Sequence, residues 1–245
     1  MKTILMYLEY DGTNFYGYQK QLKDRTVQEE LEKAMKKLFG RSVPFRGSSR
    51  TDQGVHAREY PVTFKIDTTI PPEKIAYALN TYLPEDIRAL QSMEMPTEFD
   101  ARWNASGKTY SYHILNRPMA SALHRNHSYW VRTPLDIKAM REAAEAFLGT
   151  HDFTGFKSLG SSDPNPIKEM TRITVTQDGD FIILSFTGSG FLYNMARIMA
   201  GTLIDVGFHK ITKEEIQEIF KTKLRGRSIV VPSQGLYLDK VYFRK

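Results

Sequence analysis

The sequence predicts an α+β protein made of two units with the same order of elements, strand–helix–strand–strand–helix–strand. Three observations predict it. Short runs such as residues 3–10, 108–115 and 181–186 read as strands of apolar and β-favouring residues. Between them lie stretches whose apolar residues recur at helical spacing, 27–38, 137–147 and 192–206. Turn residues separate the two kinds of run in the same order in each half of the chain.

In the first half, residues 3–10 form the opening strand, and Asp11-Gly12-Thr13-Asn14 ends it as a turn. Thr26-Val27-Gln28-Glu29 reads as a capping box, Thr26 capping the helix and Glu29 reaching back. Val27, Leu31, Ala34, Met35 and Leu38 make the apolar stripe of that helix, and Gly40 closes it. Strands are expected near 43–47 and 60–66. Pro71-Pro72 opens a second helix through about Tyr82, and a strand follows near 86–94.

The second half starts with a strand at 108–115. Asp136 caps a helix whose stripe is Ile137, Met140, Ala144 and Phe147, closing at Gly149. Residues 172–176 and 181–186 form a hairpin around Asp178-Gly179. Leu192, Met195, Ile198, Met199, Leu203 and Val206 stripe a long helix, a short helix follows near 212–221, and residues 235–243 give the last strand. Each half is therefore ferredoxin-like, or RRM-like, in element order, without an evident sequence repeat. The expected domains are residues 1–100 and 101–245, joined near 96–104, with a catalytic cleft between them.

Composition bounds the function. The chain has 245 residues, 34 Lys+Arg against 28 Asp+Glu, and a net charge of +6. That balance favours contact with a polyanion. There is no cysteine, which removes disulfides, thiolate nucleophiles and cysteine-ligated zinc, and fits a cytoplasmic protein. No apolar run approaches the ~18 residues of a membrane span.

Several chemistries lack their residues. His124 and His127 lie three apart with no converging third ligand, so no metal site is expected. Glu9-Tyr10-Asp11-Gly12-Thr13 resembles an aspartate-phosphatase loop, but a glutamate stands where the nucleophile belongs. That alternative would show magnesium dependence and turnover of a generic phosphate ester. Neither a P-loop nor a G-x-G-x-x-G turn occurs, and the RRM aromatic signature is missing.

The loop Ser48-Ser49-Arg50-Thr51-Asp52-Gln53-Gly54-Val55-His56-Ala57 carries more information. An aspartate, with a reference pKa near ~3.9, is ionised at neutral pH and can attack without a base to activate it. Arg50 and Asp52 are two apart, so an extended backbone puts them on one face. Taken alone, the loop also reads as a surface turn with a solvated Arg and Asp. Arg197, opposite the apolar stripe of its helix, has Gly201 one turn on, where a glycine costs ~1 kcal/mol against alanine. A glycine there implies that something approaches closely. Tyr110 and Tyr112 alternate on a strand beside Lys108, and sheet packing alone would account for them.

Together these segments resemble the TruA-type tRNA pseudouridine synthases. The loop at residues 50–57 is joined by Glu9-Tyr10-Asp11-Gly12-Thr13 with Phe15-Tyr16-Gly17-Tyr18-Gln19, by Phe99-Asp100-Ala101-Arg102-Trp103, Lys108-Thr109-Tyr110-Ser111-Tyr112, Gly190-Phe191-Leu192-Tyr193-Asn194-Met195-Ala196-Arg197 and Gly235-Leu236-Tyr237-Leu238, in the family's order. The resemblance implies that Asp52 is the nucleophile and that Arg197 pairs with it. Tyr110 would contact the target uracil, Leu236 would line the pocket, and Arg50 would enter the RNA helix to hold the nucleotide out of the stack. It implies a homodimer, tRNA as partner, uridines 38, 39 and 40 of the anticodon stem-loop as targets, and no cofactor or metal. Extruding a uridine costs a few kcal/mol, which aromatic stacking of ~1–3 kcal/mol per base offsets.

The sequence departs from the family pattern at Ser49, Gln53 and Tyr18, which replace a glycine, an alanine and a tryptophan, and in residues 226–232. None of these removes a group that the reaction needs. Gln53 adds bulk beside the nucleophile, which admits a synthase with a shifted RNA target. A non-catalytic RNA-binding protein or chaperone of the same fold is the other reading, and it has no use for Asp52, Tyr110 and Arg197 together.

Overall fold

The computed structural model describes residues 1–160 and 163–244. The chain forms two compact units, Met1–Ser106 with Tyr237–Lys245, and Gly107–Leu236. The protein is α+β.

In the first unit, β1 (Lys2–Tyr10), α1 (Val27–Phe39), β2 (Phe45–Gly47), β3 (His56–Ile66), α2 (Ile75–Leu79) and β4 (Ile87–Met95) follow the expected order. The sheet runs β4-β1-β3, with β2 also on β3, and these pairings are antiparallel. Thr26 caps α1 by accepting from the Glu29 amide at 3.3 Å. The reciprocal half of the box is not formed: the Glu29 carboxylate meets Lys33 one turn on at 3.0 Å. Gly40 ends the helix at a φ of 69°, where a side chain would be strained. The helix opened by Pro71-Pro72 is shorter than expected. It is one 3₁₀ turn, Pro72–Lys74, and then α2, and Asn80 leaves the helix to bond both backbone groups of Ala89. Ile4, Met6, Leu8, Leu31, Met35, Ile75, Leu79 and Ile87 form the core.

The second unit holds most of β5 (Ala105–Asn116), then β6 (Tyr129–Val131), α3 (Ile137–Ala144), β7 (Gly149–Asp152), β8 (Ile167–Asp178), β9 (Phe181–Gly188), α4 (Met195–Gly207) and α5 (Lys213–Thr222). Its strands run β5-β9-β8-β7, and β6 pairs with β5. The β8–β9 hairpin turns at Gly179, φ 55°, with Asp178 opposite Phe181. Strand β9 alternates along its length, each second residue buried. The short strands β6 and β7 are absent from the sequence reading. A complete capping box occurs at α5, where Thr212 and Glu215 exchange side-chain-to-backbone bonds.

Helix α4 is buried on almost every side, rather than along one stripe as the sequence suggested. Two glycines permit this. A β-carbon at Gly201 would strike the Ile229 carbonyl, and one at Gly207 would lie 2.9 Å from the Met140 sulfur. The last strand, β10 (Leu236–Phe243), falls with the first unit from Tyr237 onward, parallel to β3 at His56 and Ala57.

Candidate active site

The loop that carries Asp52 connects β2 to β3 and forms no ladder of its own, so its backbone needs other partners. The segment after β1 supplies them. Asp11 caps a 3₁₀ turn, Gly12–Asn14, by accepting from the Thr13 amide. The chain then passes directly beneath the loop. The Tyr18 amide donates to the Thr51 carbonyl at 3.1 Å, and the Gly54 amide to the Phe15 carbonyl at 3.2 Å. Within the loop the Val55 amide closes a turn on the Asp52 carbonyl at 3.2 Å.

Two glycines of the motif Asp11-Gly12-Thr13-Asn14-Phe15-Tyr16-Gly17 allow this stacking of backbones. A β-carbon on Gly12 would collide with the Val55 carbonyl. One on Gly17 would lie 2.5 Å from the Thr51 carbonyl, and Gly17 has a φ of +85°. The motif thus lies against the loop that carries Asp52 and supports its backbone. At the far end of the loop, the Gly12 amide donates to His56 Nδ1 at 3.0 Å, and the imidazole stacks on Tyr237 at 4.6 Å.

Along the loop Arg50 is exposed, Thr51 buried and Asp52 half-buried, the alternation of an extended segment whose outer face carries the two charged residues. Arg25, in the segment that supports the loop, is held by an ion pair. It grips Asp86 with both terminal nitrogens, at 2.6 and 2.9 Å, and its guanidinium lies 4.3 Å from the Phe15 ring. Lys20 pairs with Glu32.

In the second unit, Arg197 sits in the first turn of α4. Its Nε donates to the Val231 carbonyl at 2.7 Å and its Nη1 to Asn194 Oδ1 at 2.8 Å. Asn194 is the residue before the helix, in the left-handed region at φ 59°, and its amide nitrogen donates to Ser158 Oγ. The approach implied by Gly201 is therefore made by the chain's own residues 229–231, which come close enough to hold Arg197.

Residues 231–236 continue from that contact to β5. Tyr112 donates its hydroxyl to the Pro232 carbonyl at 2.7 Å, and Gly235 is bare against the Tyr112 ring. Burial pushes the Tyr112 phenol far up, opposed by the charge of Arg197. Tyr110 shares the face of Tyr112, is only 7% exposed, and meets Phe191 edge-on at 4.9 Å. Leu236, 5% exposed, begins β10 directly after the 3₁₀ turn Ser233–Gly235. This segment thus links Arg197, the strand of Tyr110, and Leu236 within one unit.

Sequence reasoning missed Asn194 and Tyr112 as supports. Asn194 had a signal, an asparagine just ahead of a helix. Tyr112 had none beyond its place in a strand.

In the first unit an arginine and an aspartate lie on a loop held by backbone contacts; in the second, Arg197 and Tyr112 each donate to a main-chain carbonyl. A model of the tRNA pseudouridine synthase family matches residues 6–104 and 143–244. The tRNA pseudouridine synthase A of Clostridium acetobutylicum is 47% identical over 244 residues, covering 99% of this chain and 100% of that protein. The protein of the same name from Thermoanaerobacter sp. is 44% identical, again over 99% of this chain and 100% of its own length. A tRNA pseudouridine synthase A 2 of Clostridium tetani is also 44% identical, over 99% of each. The chain belongs to the tRNA pseudouridine synthase family.

Proposed function

We propose that the chain isomerises uridine to pseudouridine in tRNA, at positions 38, 39 and 40 of the anticodon stem-loop, with Asp52 as the nucleophile. It acts in the cytoplasm as a homodimer, as its resemblance to the TruA-type synthases implies. The observation that carries the reading is the loop itself: a carboxylate on a segment clamped by backbone contacts, in a chain 47% identical to a named synthase.

The reaction breaks the bond from C1′ to N1 of uracil, turns the base, and joins C1′ to C5. One proton leaves C5 and one is gained at N1, so no atom is exchanged with a cofactor. Attack on the base, attack on C1′ and proton removal at C2′ each require Asp52 to be ionised. Arg197 supplies the guanidinium that keeps the carboxylate charged and oriented. Tyr110 and Leu236 give the base an apolar, aromatic wall, and Arg50 takes the place of the extruded nucleotide.

The test is an unmodified tRNA transcript with uridines throughout the anticodon arm, incubated with the chain and mapped by carbodiimide treatment and primer extension. Pseudouridine at 38 to 40 is expected. Product only at other positions would keep the chemistry and overturn the assignment of target.

A further inference from the structure

We propose that Tyr10 and Tyr60 are positioning residues for the isomerisation, their phenol hydroxyls holding the loop on either side of Arg50 and so aiming Arg50 and Asp52. The inference rests on the reading of Asp52 as the nucleophile. It concerns how a loop without ladder bonds keeps a charged side chain at one place and angle.

Beneath residues 47–51 lies a layer of three buried tyrosine rings. Tyr18 and Tyr60 stack with centroids 4.4 Å apart, and Tyr10 tilts against Tyr60 at 5.6 Å. Two hydroxyls of this layer point at the loop. Tyr60 donates to the Ser49 carbonyl, and the Tyr10 hydroxyl is paired with Thr51 Oγ1 at 2.8 Å in a buried contact. Tyr18 adds its backbone amide, donated to the Thr51 carbonyl. The residue before Arg50 and the residue after it are therefore both tied from below, and Thr51 directly precedes Asp52.

Core filling alone does not explain these hydroxyls. Phenylalanine fills the neighbouring core at Phe15 and Phe64, and a buried hydroxyl costs free energy unless it finds a partner. The sequence also leaves room for them: a β-carbon on Gly47 would strike the hydroxyl oxygens of both Tyr18 and Tyr60. Burial pushes the Tyr60 phenol well above its usual value, so its hydroxyl keeps its proton at neutral pH. An error of an ångström in a reacting group can cost about 10²-fold in rate, so anchoring of this kind has a kinetic signature distinct from binding.

The experiment uses the full chain and an unmodified tRNA transcript, and compares Tyr10→Phe, Tyr60→Phe, Thr51→Val and Thr51→Ser with wild type. The readouts are the single-turnover rate at saturating tRNA, the Kd for tRNA and the melting temperature. Tyr10→Phe, Tyr60→Phe and Thr51→Val are expected to lose about tenfold or more in rate with Kd within about twofold. Thr51→Ser, which keeps the hydroxyl, restores the rate to within about threefold. The double variant Tyr10→Phe with Thr51→Val loses no more than either single change, since both remove one bond.

A remote core variant, Ile75→Val, controls for stability and keeps the wild-type rate at a lowered melting temperature. Should Tyr60→Phe fail to fold, the Thr51 pair and Tyr10→Phe decide. Wild-type rates in the folded Tyr→Phe variants, or a Thr51→Ser no faster than Thr51→Val, would overturn the proposal. Absence of product from wild type would instead strike the functional reading itself.

Discussion

Arg197 donates its Nε to the carbonyl of Val231 at 2.7 Å, which fixes the guanidinium plane against a segment 34 residues further along the chain. Asn194 Oδ1 holds a second nitrogen at 2.8 Å. A lysine carries the same charge but cannot make two divergent donations from one planar group. Arg197→Lys is expected to lower kcat/KM about 10²-fold in pseudouridine formation. Asn194→Gly keeps the left-handed backbone but removes both the acceptor for Arg197 and the donation to Ser158 Oγ, so it is expected to lose about tenfold. Equal activity of both variants to wild type would show that the guanidinium needs no such fixing.

Gly12 and Gly17 allow the first segment to lie against the back of the loop that carries Asp52. Gly17→Ala adds a β-carbon in the left-handed region and against the Thr51 carbonyl. It is expected to destabilise the protein by ~1–3 kcal/mol in urea unfolding and to lower activity as well. Gly160→Ala, at a φ of +82° with open space around it, isolates the backbone strain from the collision and is expected to cost less.

Asp152 is held down to a pKa of about 2, chiefly by the hydroxyl of Thr154 and further by Lys223, whose Nζ lies 2.9 Å away. Its folded value lies below the ordinary 3.8, so its stabilising contribution is present above that value and disappears as pH falls toward 2. Asp152→Asn is therefore expected to be less stable than wild type at pH 5 to 7, the gap narrowing between about pH 4 and 2. Urea titrations across that range read it directly; a gap that does not narrow would contradict it.

RNA affinity is expected to fall more than tenfold as salt rises from about 50 to 200 mM, because each phosphate contact releases counterions. Arg25 is gripped by Asp86, so Arg25→Ala lowers the melting temperature and leaves the salt slope unchanged. A shallower slope in Arg25→Ala would show that the ion pair opens on RNA.

Much of this was legible in the sequence because local chemistry wrote it. The strands, Thr26 and Asp136 as caps, Gly40 and the turn at Gly179 all act within a few residues of themselves. Gly201 was legible as a close approach, though not what approaches, since Ile229 lies 28 positions away. The reciprocal box at Glu29 failed because Lys33, one turn on, offered the carboxylate a charge. The full extent of burial on α4 depends on Leu135, Met140 and residues 229–231 meeting it from separate elements, a tertiary fact without local pattern. The tyrosine layer was hidden for the same reason: Tyr10, Tyr18 and Tyr60 are scattered in sequence and meet only when β1 pairs with β3.

The central claim is that Asp52 performs the chemistry and is not needed to hold the RNA. Its most direct test is the single-turnover yield of pseudouridine from Asp52→Ala, with the Kd for the same tRNA measured in parallel. Loss of product by about 10³-fold or more, with Kd within about threefold of wild type, is the predicted result. Pseudouridine formed by Asp52→Ala at a rate near wild type would contradict the account.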